Sequence, residues 1–283
     1  MRGSKSMPRE ASPVPTTPRT PLTRVVIVGA TSGLAWLVVN LLLIVALPVL
    51  LVLSFPDRRR DYRLLRAFGS WCLRLFFVHF LGAIRFHRVV ERPAPERIRA
   101  LGQCVFVANH RSWFDGLLAL ALFPGVRVPV NASYLRLPVL GRVIRWSGCI
   151  PFDRTSAAGV LKGVKAARDS LAGGHSLFVF PEGTRGFGQG VGSFSDVFFR
   201  LAGDRGAPIA PVVLHSDTLA LSPGAPEYLP RRCARWRVRL LPSIATDPHD
   251  RPADLARRAR GRIAETLRAL DGASAMDETV SAP

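Results

Sequence analysis

Two short segments of this sequence combine residue types suited to acid–base chemistry and to anion binding. The first is Asn-His-Arg-Ser-Trp-Phe-Asp at residues 109–115, directly after an apolar run that predicts a buried strand. If the chain turns there, the carboxylate of Asp115 reaches one ring nitrogen of His110 and fixes its tautomer. The other nitrogen is then free to accept a proton from an alcohol. This pair is a candidate general base.

The spacing of this pair is weak evidence by itself, because His249 and Asp254 repeat it. No predicted strand precedes the second pair, and Pro252 lies inside it. Carboxylates are stabilising near the N-terminal end of a helix. We therefore interpret His249 and Asp254 as the start of a helix and not as a catalytic pair.

The second segment is Phe-Pro-Glu-Gly-Thr-Arg at residues 180–185, which also follows a predicted strand. Gly183 allows the backbone to approach a ligand closely, and Arg185 presents a fork of N–H donors that matches phosphate oxygens. Glu182 can accept hydrogen bonds from substrate hydroxyls or hold an arginine in place. Taken alone, the segment is equally consistent with a strand-to-loop turn that carries a surface ion pair.

The elements that must position these segments follow an alternating pattern from residue 104 onward. Short apolar runs predict strands at residues 104–108, 127–130, 149–152, 176–180, 209–214 and 236–241. Helical patterns occur at residues 114–122, 156–171, 194–202 and 253–270. This alternation predicts an α/β fold with a mixed sheet flanked by helices.

The N-terminal part of the chain predicts a membrane anchor. Residues 25–55 carry no charge over 31 positions, which is long enough for a helix to cross the ~30 Å hydrocarbon core. Basic residues flank this run on both sides, which favours a hairpin with both ends in the cytosol; one spanning helix is the alternative. Residues 64–86 mix aromatic side chains with arginines, as interfacial amphipathic helices do.

The formal net charge of +19 favours phosphate-bearing partners, either nucleic acid or an anionic membrane surface. The predicted soluble part has no clustered basic-aromatic motif, and the long apolar run argues against nucleic acid as a partner. Four cysteines lie far apart without metal-ligand spacing, so neither a disulfide framework nor a zinc site is predicted.

Together the two segments resemble the glycerolipid acyltransferase family, which includes 1-acylglycerol-3-phosphate acyltransferases. The family's first motif, Asn-His followed by Asp after four residues, matches the first segment, and its Phe-Pro-Glu-Gly-Thr-Arg motif matches the second at every position. Ile-Pro-Phe-Asp-Arg at residues 150–154 resembles its second motif, and Ala-Pro-Ile-Ala-Pro-Val-Val at residues 207–213 resembles its fourth. Order and spacing agree across about residues 65–245.

The resemblance implies a glycerol-3-phosphate acyltransferase-like fold and an O-acyltransferase of phospholipid biosynthesis. His110, held by Asp115, would deprotonate a lysophospholipid hydroxyl, most simply that of 1-acylglycerol-3-phosphate, to give phosphatidic acid without a covalent enzyme intermediate. The acyl donor would be acyl-CoA or an acyl carrier protein thioester, nearby backbone amides would stabilise the oxyanion, and neither a metal nor a redox cofactor is implied. The residues implied in acceptor binding are Asn109, Arg154, Glu182, Gly183, Thr184 and Arg185.

The expected organisation is a disordered basic tail at residues 1–23, membrane-anchoring helices at 24–90, an acyltransferase catalytic domain at 91–275 and a short tail at 276–283. The enzyme would be located at the cell membrane, with membrane lipid as its partner and its catalytic domain on the cytoplasmic face.

Two alternatives remain open. Ser195 and Asp196 stand where family members that act on lysophosphatidic acid commonly carry basic residues. A phosphate monoester carries nearly two negative charges and favours additional cations, so another lysolipid, such as lyso-ornithine lipid, is an alternative acceptor. A catalytically inactive membrane scaffold is a more remote alternative, and the intact pair of His110 and Asp115 argues against it.

Overall fold

The computed structural model describes residues 63–83, 87–112, 114–136, 140–186, 190–218 and 233–280. The predicted tail at residues 1–23 and the predicted anchor at residues 25–55 lie outside these ranges. Within the ranges, none of the helices combines the length and apolar character needed to cross a membrane.

A mixed sheet forms the centre of the described part of the chain. The strands are β1 (His87–Glu91), β2 (Val105–Ala108), β3 (Pro129–Asn131), β4 (Ile150–Phe152), β5 (Leu177–Val179), β6 (Ile209–Ser216) and β7 (Ala234–Leu240). Five of them form one sheet in the order β1-β7-β6-β2-β5, in which β6 and β7 run antiparallel and the other neighbours run parallel. Strands β3 and β4 pair separately, in parallel. The predicted mixed α/β sheet is confirmed.

Helices cover the sheet. They are α1 (Arg63–Arg74), α2 (Pro95–Ala100), α3 (Asp115–Leu122), α4 (Leu140–Trp146), α5 (Ala157–Ala172), α6 (Val197–Gly203) and α7 (Pro252–Val280). After α1 the chain continues as a π-helix over Leu75–Phe80 and a last turn at Leu81–Ala83. Helix α5 begins where Ser156 accepts a hydrogen bond from the backbone N–H of Gly159 (3.0 Å), as an N-cap residue does.

All four residues of the interior strand β2 are buried, and since successive side chains of a strand point to opposite faces, both faces of β2 are covered. On one face of the sheet, Phe106 packs with α3 and with aromatic side chains of the core. On the other face, Val105 and Val107 pack with α5, α6 and α7. A strand buried on both faces reads as a continuous apolar run, which explains why β2 was predictable. The chain that leaves β2 emerges between its neighbours β6 and β5.

Two boundaries differ from the predicted ones. Strand β1 was not predicted, and residues 24–90 were assigned to membrane-anchoring helices, whereas His87 pairs with Ala234 of β7 in the sheet. An edge strand with alternating burial needs few apolar residues, so the sequence of β1 lacks an apolar run. Helix α7 continues to Val280, beyond its predicted end at residue 270 and into the predicted tail at 276–283.

The helical segment predicted at residues 64–86 is present over residues 63–83 and packs against α3. Ser70 Oγ donates a hydrogen bond to the carbonyl of Leu120 (2.7 Å), and Arg74 Nε donates to that of Ala121 (3.3 Å). On its outer side, the Trp71 side chain is 56% exposed. This segment therefore supports the helix that carries Asp115 and presents an aromatic side chain outward.

Candidate active site

The two chemically promising segments meet because their strands are neighbours. Strands β2 and β5 run parallel, with Val107 opposite Val179. Their carboxyl ends therefore lie side by side, which is where ligands bind in many α/β sheets. Residues 109–115 follow β2 and residues 180–185 follow β5.

His110 and Asp115 form the predicted pair. His110 Nδ1 lies 2.9 Å from Asp115 Oδ2, and the carboxylate is buried, with 1% of its side chain exposed. Because an ionised carboxylate can only accept, Nδ1 carries the proton and Nε2 has the free lone pair. The His110 side chain is 22% exposed, so a substrate can approach it.

The turn between them is held by the same carboxylate oxygen. The backbone N–H groups of Arg111 and Ser112 donate to Asp115 Oδ2 at 2.7 and 2.8 Å. Asp115 is the first residue of α3, where a negative charge is favourable. The two amides are therefore engaged within the turn and are not available to stabilise an oxyanion.

Phe180 orients the histidine ring from the second segment. The two rings stack with centroids 4.3 Å apart and an interplanar angle of 25°. The backbone N–H of Gly186 also donates to the carbonyl of His110 (2.8 Å). Both contacts join the two segments into one site.

Asn109 holds the first segment against β6. Its amide donates to the carbonyl of Leu214 (2.8 Å) and accepts from the N–H of Leu214 (2.9 Å). The residue has no solvent-exposed surface. Asn109 was predicted to bind substrate, but the structure places it as a positioning residue whose oxygen and nitrogen both bind the protein backbone.

Glu182 also binds backbone groups. Its Oε1 accepts from the N–H of His110 (2.9 Å), and its Oε2 accepts from the N–H of Gly192 (2.8 Å). A Cβ atom at Gly192 would lie 2.8 Å from Oε2, so this approach depends on glycine. Glu182 therefore bridges two loops, and its predicted contacts with substrate hydroxyls or an arginine stay a prediction.

Arg154 and Gly183 are in direct contact. Gly183 has a φ of 72°, a conformation that favours glycine, and Arg154 Nη1 donates to its carbonyl. A Cβ atom at Gly183 would lie 2.6 Å from Arg154 Nη2. Arg154 and Thr184 are both exposed beside this contact. Residues 150–154 and residues 180–185 thus meet at the surface of the protein.

Arg185 is half-buried and acts electrostatically on Tyr134. Burial raises the pKa of the Tyr134 hydroxyl, and the positive charge of Arg185 opposes that rise. Tyr134 lies in the short 3-10 helix Ala132–Arg136. Sequence reasoning did not assign Tyr134 to the site.

The second His–Asp spacing does not form a site. Asp254 pairs with Arg257 in the first turn of α7, and the exposed His249 donates its backbone N–H to Asp247 (2.9 Å). Its interpretation as the start of a helix agrees with the structure. Among the described residues, no cluster of three His, Cys, Asp or Glu side chains is placed to hold a metal ion.

Known proteins share these motifs. An acyltransferase family profile matches residues 89–215, which include both segments. Over 164 residues, or 58% of this chain, the sequence is 28% identical to a chloroplast 1-acyl-sn-glycerol-3-phosphate acyltransferase of Arabidopsis thaliana, 44% of which is covered. It is 29% identical over 205 residues to 1-acyl-sn-glycerol-3-phosphate acyltransferase alpha of Ovis aries, with 70% of this chain and 69% of that protein covered. The chain is therefore similar to known acyltransferases across the region that holds both segments.

The fold of this chain is also found in a solved structure. The 1-acyl-sn-glycerophosphate acyltransferase PlsC of Thermotoga maritima is similar with a TM-score of 0.70 over 87% of this chain and 97% of that one. The identity is 18%, so this likeness concerns the fold. This chain spans 32% to 48% of the length of the first three curated relatives.

Proposed function

We propose that this protein transfers a fatty acyl group from a thioester carrier to the free hydroxyl of 1-acylglycerol-3-phosphate, giving phosphatidic acid. The observation that carries the proposal is the buried Asp115 carboxylate bonded to Nδ1 of a solvent-accessible His110. The curated relatives named as 1-acyl-sn-glycerol-3-phosphate acyltransferases support the choice of acceptor.

In this mechanism His110 is the general base. Its Nε2 takes the proton of the acceptor hydroxyl while the oxygen attacks the thioester carbonyl carbon, and Asp115 stabilises the imidazolium. The tetrahedral intermediate collapses with cleavage of the carbon–sulfur bond. The leaving thiolate takes the proton from Nε2, which restores the neutral histidine.

Arg154 and Arg185 are the proposed ligands of the acceptor phosphate. A guanidinium has five N–H donors, and the described contact of Arg154 with the Gly183 carbonyl uses Nη1. Arg154 is exposed at Gly183, the residue after Glu182, and Glu182 accepts the N–H of His110. Arg185 contributes a second positive charge from residues 180–185, the segment that contains Gly183.

Replacing either arginine with glutamine tests this role. Each charge-assisted hydrogen bond contributes about 1.5–3 kcal/mol, so the KM for lysophosphatidic acid should rise about 10- to 150-fold. The KM for the acyl donor should change little. The matched control is Arg168→Gln on the exposed face of α5. Equal increases in both KM values would contradict a phosphate-binding role.

A second acceptor is favoured by the residues beside the second segment. The backbone N–H of Ser195 donates to the carbonyl of Pro181 (2.9 Å), which places position 195 next to the Phe-Pro-Glu-Gly-Thr-Arg motif. The neighbouring Asp196 is acidic, and its Oδ2 lies 3.8 Å from Arg200 Nη2. An acidic residue here disfavours a phosphate monoester and is compatible with a lyso-aminolipid such as lyso-ornithine lipid.

An acyl-transfer assay with purified protein separates the two acceptors. Lysophosphatidic acid and lyso-ornithine lipid are each offered with acyl-CoA and with acyl carrier protein thioester. Lysophosphatidic acid should be the preferred acceptor, and the double substitution Ser195→Lys and Asp196→Lys should increase that preference. Preference for lyso-ornithine lipid would establish the second candidate, and no transfer to any lysolipid would refute both.

The proposed location of the enzyme is the cytoplasmic face of the cell membrane. Residues 25–55 would provide the anchor, and the exposed Trp71 on the helical segment 63–83 would lie at the interface. Deletion of residues 1–63 should release much of the protein from sedimented membranes. Full retention of the truncated protein would show that residues 25–55 are not the main anchor.

A further inference from the structure

The C-terminal helix α7 contacts the first segment at Arg111 and the loop at residues 191–192 that binds Glu182, although α7 lies outside the region that the family profile matches, residues 89–215. We propose that α7 holds the catalytic base in position through two positioning residues, Asp271 and Arg260. The kinetic part of this inference rests on the proposed acyl-transfer function.

Asp271 acts on the first segment through Arg111, the residue after the base. Arg111 Nη1 lies 3.2 and 3.4 Å from the two carboxylate oxygens of Asp271. The Arg111 and Asp271 side chains are only 12% and 28% exposed, so the pair is shielded from solvent. The backbone N–H of Arg111 donates to Asp115, and a displaced Arg111 would therefore move the turn that holds His110.

His215 defines the other side of this carboxylate. Asp271 Oδ1 lies 3.3 Å from His215 Nε2, and the His215 side chain is fully buried in β6. Asn109 binds Leu214, the residue before His215. Asp271 thus lies between the catalytic turn and the strand to which that turn is attached.

Arg260 acts on the second segment through a chain of hydrogen bonds. Its Nε and Nη2 donate to the carbonyls of Gly192 and Val191, both at 2.7 Å. The N–H of Gly192 donates to Glu182, and Glu182 accepts the N–H of His110. Arg260 therefore fixes the loop that keeps Glu182 in place.

The two connections have one consequence for catalysis. Asp271 holds the Arg111 side chain, and the Arg111 N–H binds Asp115. Arg260 holds Gly192, which binds Glu182, the acceptor of the His110 N–H. Helix α7 therefore fixes the backbone at the base and at the residue after it. A small displacement of a catalytic group lowers the rate steeply, whereas substrate affinity depends on other contacts. Loss of either residue should lower kcat and leave both KM values nearly unchanged.

Asp271→Asn and Arg260→Gln test this inference. The matched controls are Asp254→Asn and Arg257→Gln, which break an exposed ion pair on the same helix. We expect kcat to fall about 10- to 100-fold in the two test variants and to stay at the wild-type value in the controls. Asp271→Glu, which keeps the carboxylate, should recover part of the loss. Wild-type kcat in both test variants would overturn the inference.

A second readout needs no substrate. In histidine-labelled protein, the hydrogen-bonded Nδ1 proton of His110 should give a low-field NMR resonance that His110→Ala removes. Asp271→Asn and Arg260→Gln should shift or broaden this resonance, and the controls should not. An unchanged resonance in both test variants would overturn the inference. If wild-type protein acylates no lysolipid, the proposed function fails and the resonance alone decides the inference.

Discussion

Replacing Glu182 with glutamine distinguishes a positioning carboxylate from a substrate ligand. Each of its oxygens accepts one backbone N–H, from His110 at 2.9 Å and from Gly192 at 2.8 Å. Glutamine has one carbonyl oxygen, so its NH2 group must face one of these donors. The His110 bond is partly buried and the Gly192 bond is exposed, so the cost is at most that of a buried donor left without a partner, about 1–3 kcal/mol. For a domain of this size, Tm should fall by about 2–4 °C for each kcal/mol.

The same substitution should lower kcat, because the N–H that loses its partner can be that of His110, the proposed base. We expect a fall of up to about 100-fold, with the KM for the lysolipid nearly unchanged. Steady-state acyl-transfer kinetics and thermal unfolding measure the two effects, with Glu96→Gln in an exposed ion pair as the control. A higher KM for the acceptor, with wild-type kcat and Tm, would refute the positioning role and establish Glu182 as a substrate ligand.

Three further substitutions test individual contacts. Gly183→Ala places a Cβ atom 2.6 Å from Arg154 Nη2 at a φ of 72°, so the KM for the acceptor should rise while the KM for the acyl donor does not; parallel changes would contradict this. Asn109→Ala should lower the free energy of unfolding in urea by about 1–3 kcal/mol for each Leu214 backbone group that it orphans, and an unchanged value would contradict the contact. Burial lowers the pKa of His215 from its ordinary 6.5, against the opposing charge of Asp271, so below about pH 6.5 the unfolded chain binds a proton that the folded chain does not. Tm should therefore fall as the pH decreases from 7.5 to 5, and His215→Gln should reduce that fall; an identical pH dependence would exclude the contribution of His215.

The sheet and the hydrogen-bonded pair of His110 and Asp115 were predictable because local patterns specify them. Strands β2 and β6 are nearly continuous apolar runs, and their predicted bounds are within two residues of the observed ones. His110 and Asp115 are only five positions apart, so one turn brings them together. Strand β1 was missed because an edge strand needs few apolar residues.

The long-range contacts of the turn at residues 109–115 were not predictable in the same way. Arg111 and Asp271 are 160 positions apart, and Asn109 binds a backbone group 105 positions away. No local periodicity reports such contacts, since they depend on how α7 and β6 pack. For Glu182 the residue type indicated a hydrogen-bond acceptor, but its donors became known only from the loop that contains Gly192.

The central claim is that His110 is the general base of acyl transfer, and one comparison tests it most directly. Acyl transfer to lysophosphatidic acid is measured for wild-type protein, His110→Ala and His249→Ala, with circular dichroism to confirm that all three are folded. General-base catalysis contributes about 10²–10⁴-fold. The activity of His110→Ala should therefore fall at least about 100-fold, whereas that of His249→Ala should match the wild type. Folded His110→Ala protein with wild-type activity would contradict the mechanism.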